Sequence, residues 1–268
     1  MRIDLVLPNE GPFALEAIHT APRFEEMGFG GLWLTDHVIG IEGYRPVYGD
    51  YWLEILTALS YVAASTKKIR LGTGVLVVPY RDAVLTAKML STIDVLSGGR
   101  LDVGVGTGWA RREFNALGRG EVFEDRGAFT DEALDVFNTC WKGGELSHEG
   151  RWSKSSKIRF EPAPVQTPRP PLWVGGRGLA PAPLRRAAKY ADVWHPTSLT
   201  PDEIREGGEK LDAMAGRKIP RSIRTTVTDH DELRRYRDAG CIQAAVDLKA
   251  ETYAEFLKGA EALSRLSV

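Results

Sequence analysis

A chain of 268 residues with 43% hydrophobic content can bury one large core, and roughly 250 residues is the usual length of a single α/β barrel. The 35 Lys and Arg against 36 Asp and Glu leave a net charge of -1, so no global field draws the chain to nucleic acid or to a membrane, and a small-molecule substrate is expected. Cys140 and Cys241 are too few and too isolated for a disulfide framework or a Cys-based metal site.

The first strand is expected over Ile3–Leu7, reached from Met1 with no signal-peptide character, so a cytoplasmic, reducing compartment is expected. Pro22 interrupts the helical pattern Ala14–Met27 and should restart it. A second strand, Gly31–Thr35, leads into the long loop Val38–Asp50, and Trp52, Ile55, Leu56, Leu59 and Val62 then share a helix face. Ile69–Val78 is a third strand, followed by a helix on which Leu85, Met89, Ile93 and Leu96 are expected to form the buried face. Arg100–Val105 is a fourth strand, and Phe129, Ala133, Val136, Phe137 and Cys140 stripe the later helix. The 29 residues 142–170, rich in Gly, Ser and Pro, exceed an ordinary connection and are expected to be an insertion with a lid or rim role at the active-site face. Strands at Pro171–Gly175, Asp192–His195, Ser222–Val227 and Ile242–Leu248 complete a set of eight. Between them, Thr200-Pro-Asp-Glu203 and Thr252-Tyr-Ala-Glu255 read as capping boxes, and Gly240 as the residue just past a helix end. Continuous apolar strands alternating with helices imply one (β/α)₈ TIM barrel spanning 1–268.

Three of these strands end in glycines: Gly72-Thr-Gly74, Gly104-Val-Gly-Thr-Gly108 and Gly175-Gly-Arg-Gly178. Glycine within a strand marks a bulge, a bend or a close approach, and three such tips imply one flat ligand across the barrel mouth. The same tips carry Asn9, Glu10, Asp36, His37, Trp109, His195 and Thr197. No His, Asp or Glu partners stand at metal-ligand spacing from His37 or His195, so no metal is expected. Amides of Gly175 and Gly176 before a helix, with Arg177 beside them, suit a phosphate.

Together these residues resemble the bacterial-luciferase-like superfamily, and within it the branch dependent on the deazaflavin coenzyme F420. The resemblance runs from Met1 to about Ala215. It is carried by Gly28-Phe-Gly-Gly-Leu-Trp-Leu-Thr-Asp-His37, Arg70-Leu-Gly-Thr-Gly-Val-Leu76, Asp94-Val-Leu-Ser-Gly-Gly-Arg-Leu101, Pro162-x-Pro-x-Gln166 and Pro170-Pro-Leu-Trp-Val-Gly-Gly176. It implies a (β/α)₈ barrel and a homodimer, and a ring cofactor (F420, or FMN as the alternative) against a bulge whose non-proline cis bond falls at Gly74–Val75. It implies further that Asp36 and His37 stand at the reactive edge of the ring, with Gly106, Thr107 and Gly108 along it. Gly175, Gly176 and Arg177 match its phosphate loop.

His37 is then the candidate catalytic proton donor or acceptor, and Trp109, Tyr44 and Thr197 are expected to contact substrate. Relatives that oxidise a sugar phosphate carry a glutamate where this chain has Trp109 and a tryptophan where it has Ile41. An indole neither accepts nor delivers a proton at neutral pH, which favours a larger, less charged substrate. The implied activity is F420-dependent hydride transfer. An FMN-dependent monooxygenase and a non-catalytic flavin-binding protein remain as alternatives.

Overall fold

The computed structural model describes residues 1–40 and 50–268. Eight parallel strand positions close into a barrel. The strands are β1 (Arg2–Val6), β2 (Gly31–Leu34), β3 (Arg70–Thr73) with its continuation β4 (Leu76–Val77), β5 (Leu101–Gly106), β8 (Leu172–Arg177), β9 (Val193–Thr197), β10 (Arg221–Thr225) and β11 (Cys241–Val246). Their order is β3-β2-β1-β11-β10-β9-β8-β5-β4, and β3 also pairs with β5, which closes the ring. The third strand is therefore one strand split by the bulge at Gly74 and Val75.

Helices cover the outside: α1 (Ala14–His19), α2 (Ala21–Glu26), α3 (Ile55–Ser65), α4 (Ala83–Ser97), α5 (Arg111–Ala116), α6 (Arg126–Cys140), α7 (Pro181–Tyr190), α8 (Pro201–Ala215), α9 (His230–Asp238) and α10 (Tyr253–Ser264). Pro22 restarts the first helix as expected, standing in the first turn of α2. Thr200 and Glu203 form the reciprocal capping box of α8. At α10 only half of the box is present. Thr252 Oγ1 accepts from the Glu255 amide, while the Glu255 carboxylate accepts from the amide of Glu251.

Two sequence expectations are corrected. On α4 the face turned inward is that of Ala83, Ala87, Leu90 and Asp94, with Ile93, whereas Leu85 and Leu96 are 58% and 74% exposed. The packing chose small residues and Leu90 for the tight contact with the barrel, and left the leucine stripe outside. The insertion follows a helix, α6, rather than a strand. It contains an antiparallel hairpin, β6 (Gly144–Glu149) and β7 (Lys154–Phe160). The amides of Arg151, Trp152 and Ser153 at the hairpin tip donate to the Glu132 carboxylate on α6. Beyond it, Gln166 bonds Asp94 on α4 and the Leu101 carbonyl at the start of β5. The segment thus braces the flank and the N-terminal end of the barrel, opposite the end where barrel active sites are built. Among the described residues no helix is long and apolar enough to cross a membrane.

Candidate active site

The bulge in the third strand sets the floor of the mouth. The Gly74–Val75 peptide bond is cis, as the motif implied. The Gly74 amide donates to the Leu34 carbonyl at 2.7 Å, and its own carbonyl accepts from Arg224 at 2.8 Å. The glycines around the bulge divide into two groups. A Cβ on Gly72 would lie 2.2 Å from the Trp33 ring, and one on Gly104 would lie 1.9 Å from the Thr73 carbonyl. Those two serve barrel packing. A Cβ on Gly106 or Gly175 would instead strike the Val75 side chain, at 2.6 and 2.8 Å. Val75 therefore lies between the tips of β5 and β8, and the bareness of both tips is what admits it. Gly108 has φ +72, and a Cβ there would strike Val77 at 2.5 Å. Thr107, half-buried, stands between them at the end of β5.

Asn9 shows how the rim is fixed. Its amide nitrogen donates to the carbonyls of Thr35 and Leu53, and its oxygen accepts from the Thr35 amide and hydroxyl. Every hydrogen-bonding group of this buried side chain is used, which locks the tips of β1 and β2 together.

His37 follows β2 and reaches the same mouth. Its Nδ1 is 2.8 Å from Glu113 Oε2 on α5. Glu113 is fully buried and also accepts from the Tyr80 hydroxyl at 2.7 Å and from the Val38 amide. Burial pushes this carboxyl upward, but the bonds from His37, Val38 and Tyr80 outweigh it and hold Glu113 below the usual range. The carboxylate that holds His37 thus comes from a helix 76 residues further along the chain. Trp52 and Trp109 pack against the imidazole, with ring centroids at 4.8 and 5.7 Å. Trp109 is 49% exposed, so its indole forms part of the accessible wall.

Asp36 turns the other way. Both of its oxygens are engaged by the Arg81 guanidinium, at 2.7 and 2.8 Å, and one also accepts from the Val77 amide. Burial favours the protonated carboxyl, and the Arg81 fork opposes it. Arg81 in turn bonds Glu54, whose carboxylate caps α3. Asp36 thus anchors the strand beyond the bulge and stands behind His37.

On the opposite rim, β8 ends at Gly175-Gly-Arg177, and Gly178 has φ +70 with open space where a Cβ would be. Helix α7 begins three residues later with prolines at 181 and 183, which have no N–H to offer. An anion here would be met by the loop amides and by Arg177, which is exposed. Thr197 pairs with Arg177 across β8 and β9, and its hydroxyl lies 3.3 Å from that of Ser198. A third side of the mouth is charged: Arg224 bonds Asp247 at 2.7 Å, and Glu10 bonds the Thr35 hydroxyl at 3.1 Å. Burial, with Asp247 nearby, raises the Glu10 carboxyl against the pull of Arg224.

His195, by contrast, belongs to the barrel interior. It stacks on Trp33 at 4.8 Å, and its Nδ1 is 2.7 Å from the Ser222 hydroxyl. Burial, with Arg224 and Arg2 behind it, pushes the imidazole down to about 3. Tyr44, expected to contact substrate, lies outside the described residues, as do Tyr48 and Ile41. No cluster of three or more His, Cys, Asp or Glu suited to a metal occurs among the described residues.

Sequence reasoning missed Glu113, Arg81 and Arg224, and it set Trp52 on the face of α3, whereas Trp52 precedes that helix, bridges to Glu10 and packs against His37. Glu113 was detectable in principle: it follows Trp109 by four residues and sits between Ala110 and Phe114, so a helix would turn it inward. Arg81 and Arg224 gave no comparable signal, because their partners are remote in sequence.

Comparisons with known proteins agree with this architecture. Residues 5–267 match the family model for luciferase-like monooxygenases. The chain is 30% identical over 155 residues to pyrimidine monooxygenase RutA of Bradyrhizobium sp. (strain BTAi1), covering 56% of this chain and 41% of that one. The matched segment thus spans less than half of that relative. Among solved structures, an F420-dependent secondary alcohol dehydrogenase superposes with a TM-score of 0.83 at 17% identity, covering 99% and 98% of the two chains. The oxygenating constituent of 3,6-diketocamphane monooxygenase from Pseudomonas putida, in complex with FMN, superposes with 0.78 at 14%, covering 99% and 97%. At such identities the superpositions establish the fold. With the family match over almost its whole length, the chain belongs to the luciferase-like monooxygenase family.

Proposed function

We propose that the chain is an oxidoreductase that moves hydride between C5 of coenzyme F420 and an organic substrate, with His37 giving or taking the accompanying proton. The observation that carries this reading is His37 itself, held at the barrel mouth by a buried carboxylate. Hydride transfer at a carbon bearing oxygen needs a proton moved at that oxygen, and a positioned imidazole is suited to it.

The residues present fit a flat ring with a phosphorylated tail. Gly106 and Gly175 admit the Val75 side chain between the tips of β5 and β8, so half-buried Val75 would be the surface on which the ring rests. Gly175, Gly176 and Arg177 would hold the phosphate, with Thr107 and Gly108 along the ring. When bound, the deazaflavin supplies the carbon that carries hydride, and the protein supplies binding, orientation and the proton. Asp36 holds Arg81 and the strand beyond the bulge, keeping His37 in place. Trp109 and Trp52 would exclude water and meet an apolar portion of the substrate, and Thr197 would meet a polar one.

A second reading, an FMN-dependent monooxygenase, is favoured by the similarity to a pyrimidine monooxygenase. Titration with F420, FMN and FAD separates them: F420 is expected to bind most tightly, and preference for FMN would move the assignment to the monooxygenase. We also propose that the chain forms a homodimer, through the outward leucines Leu85 and Leu96 of α4. Both are exposed, about three helical turns apart on one side of the helix.

A further inference from the structure

The three donors around Glu113 dictate more than its charge. The Val38 amide can only donate, so it assigns Glu113 Oε1 as an acceptor. The other oxygen, Oε2, faces both the Tyr80 hydroxyl at 2.7 Å and His37 Nδ1 at 2.8 Å. The bonds to Glu113 hold it ionised, below the usual carboxyl range, and a carboxylate has only lone pairs to offer, so there is no proton on Glu113 for His37 to accept. Nδ1 must therefore be the protonated nitrogen.

We infer that Glu113 is a positioning residue that fixes His37 in the Nδ1–H tautomer, making Nε2 the basic atom of the ring. The assignment of Nε2 as the atom that exchanges a proton with substrate rests on the hydride-transfer reading above; the tautomer itself does not. Whatever Nε2 meets, it meets as an acceptor while the ring is neutral, and as a donor only after taking up a proton. His37 is thereby set as a base in the oxidising direction, and its protonated form as the acid in the reverse direction. A buried carboxylate also compensates the imidazolium that forms in between.

A glutamine at position 113 tests the idea with little change of shape. The Val38 amide still needs an acceptor, so the amide oxygen must take the place of Oε1. The NH₂ group then occupies the place of Oε2 and points its hydrogens at Tyr80 and His37. Nδ1 would have to accept, and the proton would move to Nε2. The same packing predicts opposite tautomers in the two proteins.

The measurement is a long-range ¹H–¹⁵N spectrum of cofactor-free, ¹⁵N-histidine-labelled protein, recorded at the highest pH at which the fold persists. His37 is assigned by its loss in His37→Gln. In the unmodified protein the His37 signal is expected to show a protonated Nδ1 and an unprotonated Nε2. In Glu113→Gln the pattern is expected to reverse. A protonated Nε2 in the unmodified protein, as either the neutral tautomer or a doubly protonated ring, would overturn the inference, as would an unchanged tautomer in a folded Glu113→Gln protein. If that variant does not fold, the spectrum of the unmodified protein still decides. A correct tautomer in a protein without hydride-transfer activity would leave this inference standing and remove only the functional reading.

Discussion

Arg224, at the tip of β10, donates to the carbonyl of Gly74 at 2.8 Å and to Asp247 at 2.7 Å. One guanidinium therefore ties the bulge of the third strand to the ends of the last two, closing the mouth across the barrel from His37. Its side chain is 25% exposed, which places its contribution at the lower end for charged hydrogen bonds. Arg224→Met is expected to lower unfolding stability by about 1–2 kcal/mol in urea denaturation. Because the Gly74 carbonyl loses its partner, cofactor affinity should fall with it. A variant of unchanged stability and affinity would show that the bulge is held by the backbone alone.

His195 supplies a pH dependence. Its imidazole is pushed from an ordinary value of 6.5 down to about 3 by burial. A depressed histidine binds fewer protons folded than unfolded, so its stabilising contribution is complete above pH 6.5. That contribution is lost as pH falls from there toward the folded value. The expected slope is up to about 1.4 kcal/mol per pH unit in that interval. His195→Gln should remove this part of the acid loss, read as the difference between the stability–pH curves of the two proteins. Parallel curves would mean that the imidazole is already protonated in the folded state.

Arg177 offers a test at the opposite rim. It is exposed at the end of β8, so an ion pair with a cofactor phosphate would be partly screened. Arg177→Ala is expected to weaken cofactor binding by about 1–2 kcal/mol at low salt and by less at high salt. Equal affinity at low salt would place the phosphate on the loop amides without the side chain.

The outward leucines of α4 predict assembly. Leu85→Glu combined with Leu96→Glu is expected to convert a dimer to a monomer in sedimentation analysis, with the barrel intact by circular dichroism. A monomeric unmodified protein would remove the proposal.

Much of this was legible in the sequence because it rests on local signals. Continuous apolar strands, Pro22, the Thr200 capping box and the glycine before Val75 each announce themselves within a few residues. Failures came where packing across the fold decides. Leu85 and Leu96 satisfy helical periodicity, yet the barrel wall accepts Ala83, Ala87 and Leu90 in their place. The glycines read as ligand space were partly space for Trp33 and Val75, side chains from other strands. The insertion was read by length and composition, which carry no information about which end of the barrel it covers. The bonds of Asp36 with Arg81 and His37 with Glu113 join residues 45 and 76 positions apart, and no spacing rule reaches that far.

The most direct test is the fate of the reduced complex in air. A reduced deazaflavin does not pass electrons singly to oxygen as a reduced flavin does, so the complex with reduced F420 should stay reduced in aerated buffer. It should reoxidise rapidly only when a suitable organic acceptor is added. His37→Ala should keep F420 affinity while slowing that acceptor-dependent step by roughly 10²–10⁴-fold, the usual contribution of a positioned acid or base. Weak F420 binding together with tight FMN binding and rapid oxygen consumption by the reduced complex would contradict hydride transfer as the function of this site.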